Sequence, residues 1–170
     1  MMKLLTGTGL RWLWLAVFAI VLDQVAKLSV MHQIPYGHGV YVTPFFNLVH
    51  VYNTGAAFSF LADAEGWQRW LFSGLAVVIS GVLAIAMAKA PAKCSLANLA
   101  YSLVIGGAIG NLIDRLVYGH VVDFLDFHWQ GMHWPAFNFA DIAINIGVLL
   151  MLLGFWRQNR SAQARDGRPA

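Results

Sequence analysis

Two stretches of 19 residues, Trp70 to Ala88 and Ser95 to Ile113, contain no charged side chain. At 1.5 Å per residue each makes a helix about 28 Å long, close to the hydrocarbon thickness of a bilayer. Two further runs flank them. Trp12 to Val30 is interrupted by Asp23, Gln24 and Lys27, and Asn138 to Trp156 carries Asp141 and Asn145 near its start. Composition removes the water-soluble alternative: 59% of the 170 residues are apolar before 16 glycines are counted, and only 11% are charged, where a soluble domain has about a quarter. The single cysteine, Cys94, excludes an internal disulfide framework or a thiolate metal cluster. These features predict an all-α membrane protein of four transmembrane helices, with spans at about 12–30, 70–88, 95–113 and 138–156. Residues 1–156 then form one domain, and the basic tail 157–170 is expected to be disordered.

Charge orients the spans. If four helices alternate, eight of the eleven basic residues fall on one side: Lys3 and Arg11, Lys89 and Lys93, and Arg157, Arg160, Arg165 and Arg168. That side sums to +7 and the other to −4, so the positive-inside rule places both termini in the cytoplasm. The N-terminus imitates a signal peptide, but no small-residue cleavage site follows Leu22, and it reads as a retained first helix. Nothing in the net charge of +3 points to nucleic acid, because the basic residues are spread along the chain rather than clustered on one face. Two outer segments, about 31–68 and 115–137, hold all six histidines. Within them Val40 to Asn53 and Val121 to Phe127 read as short strands, a small β-containing segment on the outer surface.

An ionisable residue inside a span needs a partner. Asp23 and Lys27 have i,i+4 spacing and the preferred order for an ion pair. In the third span Gly107, Asn111 and Arg115 recur every four residues on one face, and Gly106 with Gly110 forms a small-xxx-small pair that admits a close neighbour. Asn138 is suited to cap the fourth helix, which puts Asp141 at N3, where a carboxylate is favoured by the helix dipole. Asp123 and Asp126 lie three apart in an extended segment and point to opposite faces; one should meet the bundle and the other should be solvated.

The chemistry left is that of carboxylates. No G-x-S-x-G or H-E-x-x-H is present, so a serine hydrolase and a zinc protease lack their motifs. Two carboxyls sharing a proton can activate a water and protonate a leaving amine. The candidate pair is Asp141 with Asp114, Asp123 or Asp126. A small proton-coupled transporter using Asp23, Lys27 and Asp141 as a relay is the rival from another class, and a membrane scaffold is the third.

Five blocks then recur together and in order: Asp23-Gln24-x-x-Lys27, Asn53-Thr54-Gly55-Ala56-Ala57-Phe58-Ser59, Gly106-Gly107-Ala108-x-Gly110-Asn111-x-x-Asp114-Arg115, Val121-Val122-Asp123-Phe124 and Phe137-Asn138-x-Ala140-Asp141. With these blocks the chain resembles the bacterial lipoprotein signal peptidases (signal peptidase II). The resemblance implies a multi-pass inner-membrane aspartyl endopeptidase with its site toward the periplasm. Such an enzyme cuts the signal peptide from a diacylglyceryl-modified prolipoprotein just before the lipidated cysteine. It also implies Asp123 and Asp141 as catalytic residues, and Asn53, Gly107, Asn111, Arg115, Asn138 and Ala140 as their support. Asp23 and Lys27 match structural polar positions. Lipid-modified precursor and membrane lipid are the implied partners, with no metal or cofactor and a monomeric enzyme. The topology has a direct test: impermeant thiol reagents should label Cys94 only when the cytoplasmic side is opened, and labelling from the outer side of intact cells would overturn the both-termini-inside arrangement.

Overall fold

The computed structural model describes residues 7–55, 66–93 and 95–165. Cys94 and the Ala56–Ser59 part of the second block lie outside the described residues. A 3-10 turn, Gly9–Trp12, leads into α1 (Leu13–Gln33). Then follow β1 (Gly39–Thr43), β2 (Phe46–Asn53), α2 (Trp67–Lys89), α3 (Leu96–Val117), β3 (Val121–Trp129), β4 (Met132–His133) and α4 (Phe139–Arg165). Among the described residues four helices are long and apolar enough to cross a membrane, at the four places the sequence indicates, each longer by a few residues.

Two expectations need correction. Val40 to Asn53 is a hairpin rather than one strand, because Pro44 and Phe45 form the turn that pairs Thr43 with Phe46. The basic tail is helical as far as Arg165 instead of disordered from residue 157. Arg, Gln and Ala dominate that stretch and are strong helix formers, so the helix carries on past Trp156 into polar surroundings.

Helix α3 is the hub and packs against α1, α2 and α4. Its glycines permit the approach. A Cβ at Gly106 would fall 2.9 Å from the Ala16 carbonyl of α1, one at Gly107 would collide with the Ala140 carbonyl of α4, and one at Gly110 would lie 3.0 Å from Asp23 Oδ2. Helix α4 answers with Gly147, where a Cβ would meet Val104 of α3 at 2.6 Å. At its N-terminal end Ser95 caps α3, its Oγ accepting the Asn98 N–H at 3.2 Å, and Asn98 Nδ2 donates to the carbonyls of Pro91 and Lys93.

The end of the bundle where α3 finishes and α4 begins is closed by a four-stranded antiparallel sheet in the order β1-β2-β3-β4. β2 and β3 are separated in sequence by two spans, yet pair from Phe46 with Phe127 to Asn53 with Val121. β3 returns to β4 through Gln130 and Gly131, both at positive φ, as a two-residue hairpin turn requires. Val30 of α1 and Ile34 just after it bury against Phe124 and Leu125 of β3, which fastens the sheet to the bundle. Outward faces such as Phe18, Val21, Val78, Val82, Leu149 and Phe155 stay exposed and form the apolar belt that a bilayer covers.

Candidate active site

Asp141 sits in the first turn of α4, held by a reciprocal capping arrangement. Asn138 Oδ1 accepts the Asp141 N–H at 2.9 Å, and Asp141 Oδ2 accepts the Asn138 N–H at 3.2 Å. Capping is therefore real, but it occupies only one carboxylate oxygen. The other, Oδ1, accepts from Asn111 Nδ2 of α3 at 2.8 Å.

Asp123 comes from β3 and is buried. Its Oδ1 accepts from Asn138 Nδ2 at 2.6 Å and its Oδ2 from Asn53 Nδ2 at 3.0 Å. Asn53 is the last residue of β2, and its own Oδ1 accepts the Gly55 N–H at 3.0 Å, which locks the amide so that nitrogen faces the acid. Asn138 thus touches both acids, one through its side-chain nitrogen and the other through its backbone and Oδ1. Burial pushes the Asp123 carboxyl up to about 7, the nearby Asp141 charge adds to this, and the hydrogen bonds from Asn53 and Asn138 oppose it.

Asn111 is the second hub. Its Oδ1 accepts from Lys27 Nζ at 2.9 Å and from Asn138 Nδ2 at 3.2 Å, leaving its nitrogen for Asp141. Arg115, one turn on, donates to the Gly55 carbonyl at 3.0 Å and lies over the Phe72 ring at 5.2 Å. Asp123, Asp141, Asn53, Asn111, Arg115 and Asn138 are accordingly brought together. Gly107 and Ala140 are the contact that seats α4 on α3, and they supply no polar group to the acids from their side chains.

The remaining acids are placed elsewhere. Asp114 pairs with Lys27 at 2.8 Å and is not the partner of Asp141. Asp126 points to the opposite face of β3 as expected, but it is buried rather than solvated. Asn47 Nδ2 of the paired strand donates to it at 2.9 Å, and His133 Nδ1 of the β4 hairpin lies 2.8 Å from it. Sequence spacing carried no sign of either partner. Gln24, which the sequence marks as a polar interruption of the first span without giving it a role, reaches Asp114 Oδ1 at 2.8 Å and the Gly110 carbonyl at 3.2 Å through its Nε2. Among the described residues no three His, Cys, Asp or Glu side chains come together as a metal-ligand set.

Helices α2 and α4 both rest on α3 with little contact between them, which opens a cleft of about 740 Å³. Phe72, Leu75 and Ile79 form one wall, Ile142, Ile146 and Leu149 the other, and Ala108 part of the floor. Asn53, Asn111, Arg115 and Asp141 line its polar end. The site thus sits at the mouth of an apolar groove open to the side.

The raised carboxyl has a consequence for stability. An unfolded Asp123 ionises near 3.8 and the folded one near 7, so between these values the folded state holds more protons. Stability is then greatest below about 4, falls as pH rises through the window, and levels off above about 7. Asp123→Asn removes this titration. Its unfolding temperature in detergent should gain on that of the parent as pH rises from about 4 to about 7, and a pH-independent or shrinking gap would contradict the buried, proton-retaining Asp123.

Comparison with known proteins agrees with the geometry. The family model described as Signal peptidase (SPase) II matches residues 15–157. A protein named lipoprotein signal peptidase from Tolumonas auensis is 82% identical over 154 residues, covering 90% of this chain and 94% of that one. One of the same name from Aeromonas hydrophila is 59% identical over 164 residues, covering 95% and 96%. Two bacterial membrane enzymes solved by the in meso method superpose with TM-scores of 0.78 and 0.73, at 32% and 33% identity and over 88% and 85% of this chain. They are themselves covered to 89% and 92%. Nothing in these comparisons supports the transporter alternative. The chain, a multi-pass membrane protein with one acid, Asp141, lining the polar end of an apolar groove and a second, buried acid joined to it through Asn138, belongs to the signal peptidase II family.

Proposed function

We propose that this chain is an aspartyl endopeptidase that removes the signal peptide from prolipoproteins, with Asp123 and Asp141 as its catalytic pair. The observation that carries the reading is the pairing itself: two carboxylates from different elements, joined through Asn138, one of which, Asp141, lines an apolar groove. A signal peptide is an apolar helix followed by an extended cleavage segment. The groove walls on α2 and α4 suit the first, and the polar mouth around Arg115 and Asn53 suits the second.

Two carboxyls that share Asn138 and act on each other's charge can hold one proton between them. Asp141 lies in the first turn of α4, where the helix dipole favours charge, whereas Asp123 lies on a strand and is pushed up by burial. We assign the proton to Asp123 and the charge to Asp141. Asp141 takes a proton from water as the hydroxide adds to the scissile carbonyl carbon, and Asp123 donates its proton toward the carbonyl oxygen. In collapse of the tetrahedral intermediate the C–N bond breaks, the leaving nitrogen receives a proton from the pair, and the new carboxyl end leaves with the signal peptide. Arg115, with two fixed rows of donors, orients the backbone of the segment being cut.

The charge pattern supports a bacterial cytoplasmic membrane with cytoplasmic termini and the acids facing the periplasm. At that depth a diacylglyceryl group on the cysteine following the cut would rest in the outer leaflet and hold the scissile bond level with the pair. One chain contributes every residue of the site, so a monomer suffices.

Catalysis can be separated from capping. If Asp141 were only an N3 acid, Asp141→Asn would lose at most about 1 kcal/mol of helix stabilisation and keep its activity. If the acids act as a unit, Asp123→Asn and Asp141→Asn each abolish cleavage, and the double variant is scarcely worse than either. Asp126→Asn, on the opposite face of β3, should still cleave. Rates at matched membrane levels decide this: an active Asp123→Asn, or an Asp126→Asn as dead as the others, would mean that the pair is wrongly assigned.

A further inference from the structure

Each of the two acids is preceded in the chain by a backbone amide that a second, deeper carboxylate holds. Asp23 Oδ1 of α1 accepts the N–H of Ala140 at 2.9 Å, directly before Asp141. Asp114 Oδ2 of α3 accepts the N–H of Val122 at 3.1 Å, directly before Asp123. Lys27 Nζ joins these two carboxylates, 2.7 Å from Asp23 Oδ2 and 2.8 Å from Asp114 Oδ2, with all three side chains at most 1% exposed. The third donor of the ammonium goes to Asn111 Oδ1 at 2.9 Å. A lysine ammonium has three protons to give, and the three groups around it are each one step removed from the acids.

Resting on the reading of Asp123 and Asp141 as the catalytic pair, we propose that Asp23, Lys27 and Asp114 form a yoke that sets the separation and orientation of the two acids. They are positioning residues and touch no substrate. The Ala140 N–H belongs to the first turn of α4, where the helix itself offers no acceptor, and Asp23 supplies one from another helix. The Val122 N–H begins β3, and Asp114 fixes where that strand leaves the bundle. Lys27 also holds the Asn111 oxygen, which obliges the Asn111 nitrogen to face Asp141. Stability alone does not explain the triad, because a buried ion cluster adds little over apolar packing of the same volume. Apolar residues would hold α1 against α3 equally well. They would leave the amides of Ala140 and Val122 without acceptors and the Asn111 amide free to turn over.

The proposal is tested by Lys27→Met and by the neutral variant Asp23→Asn/Lys27→Met/Asp114→Asn. The latter leaves no unpaired buried charge and keeps an oxygen for each backbone amide. Both are purified in detergent, corrected for folded fraction by thermal unfolding, and assayed on a lipid-modified precursor beside Asp123→Asn and Asp141→Asn. A misplacement of the acids by about 1 Å predicts kcat lower by about 100-fold, with KM within about twofold, since the groove and Arg115 are untouched. If Lys27→Met does not accumulate, the neutral variant decides. Parent-like kcat in either folded variant, or a loss carried by KM, would overturn the yoke. So would failure of the neutral variant to fold, which would make the triad a support of the fold and not of the acids. Should Asp123→Asn or Asp141→Asn remain active, it is the catalytic pair that fails; dead aspartate variants beside active triad variants sink the yoke alone.

Discussion

Asn138 cannot be removed from this structure without losing the relation between its two acids. Its side-chain nitrogen reaches Asp123, its side-chain oxygen takes the Asp141 N–H, and its backbone N–H returns to the Asp141 carboxylate. A bilayer offers no water to satisfy such groups, so each must find a protein partner or impose a cost of several kcal/mol. The whole sheet-capped half of the bundle is arranged to meet that demand. Asn53 serves the far oxygen of Asp123, Asn111 serves the far oxygen of Asp141, and Lys27 saturates Asn111 in turn. Every hydrogen bond found on the two carboxylates comes from an N–H, which suits a site that must hold negative charge.

The backbone architecture follows from the same demand. Asp123 and Asp141 can face each other only if β3 and the start of α4 leave the membrane at the same level. β3 is tied to β2 along its length, to α1 through Phe124 and Leu125, and to α4 through hydrogen bonds between Phe137 and Leu125. The glycines of α3 let α4 approach until the Ala140 carbonyl fills the space where a Gly107 side chain would be. Splaying α2 away from α4 leaves the lateral groove. Close packing on one side of α3 and an opening on the other are two results of one choice of small residues.

Much of this was legible in the sequence because the bilayer imposes simple rules. Uncharged runs of membrane length located the spans, and the charge count gave an expected orientation. The i,i+4 pair of Asp23 and Lys27 appears as an ion pair of 2.7 Å, and the expected cap at Asn138 is present. What escaped was long-range pairing. Parity placed Asp123 and Asp126 on opposite faces but could not say which face met the bundle, nor that Asn47, some 80 residues earlier, would bury Asp126. The resemblance implied Asp123, and β2 pairing gives that acid its amide partner: Val51 lies opposite Asp123, so Asn53 falls within reach. The helical stretch after Trp156 was missed because polarity marks the end of a membrane span without marking the end of a helix.

The central claim is that one chain, with no other protein and no energy supply, cuts a lipid-anchored precursor at the level of its two acids. The most direct measurement uses the purified chain in detergent with a prolipoprotein prepared with and without the diacylglyceryl group on its cysteine. The account predicts release of an intact signal peptide from the modified precursor and little or none from the unmodified one. Equal rates on the two precursors, or no cleavage of the modified one, would contradict it.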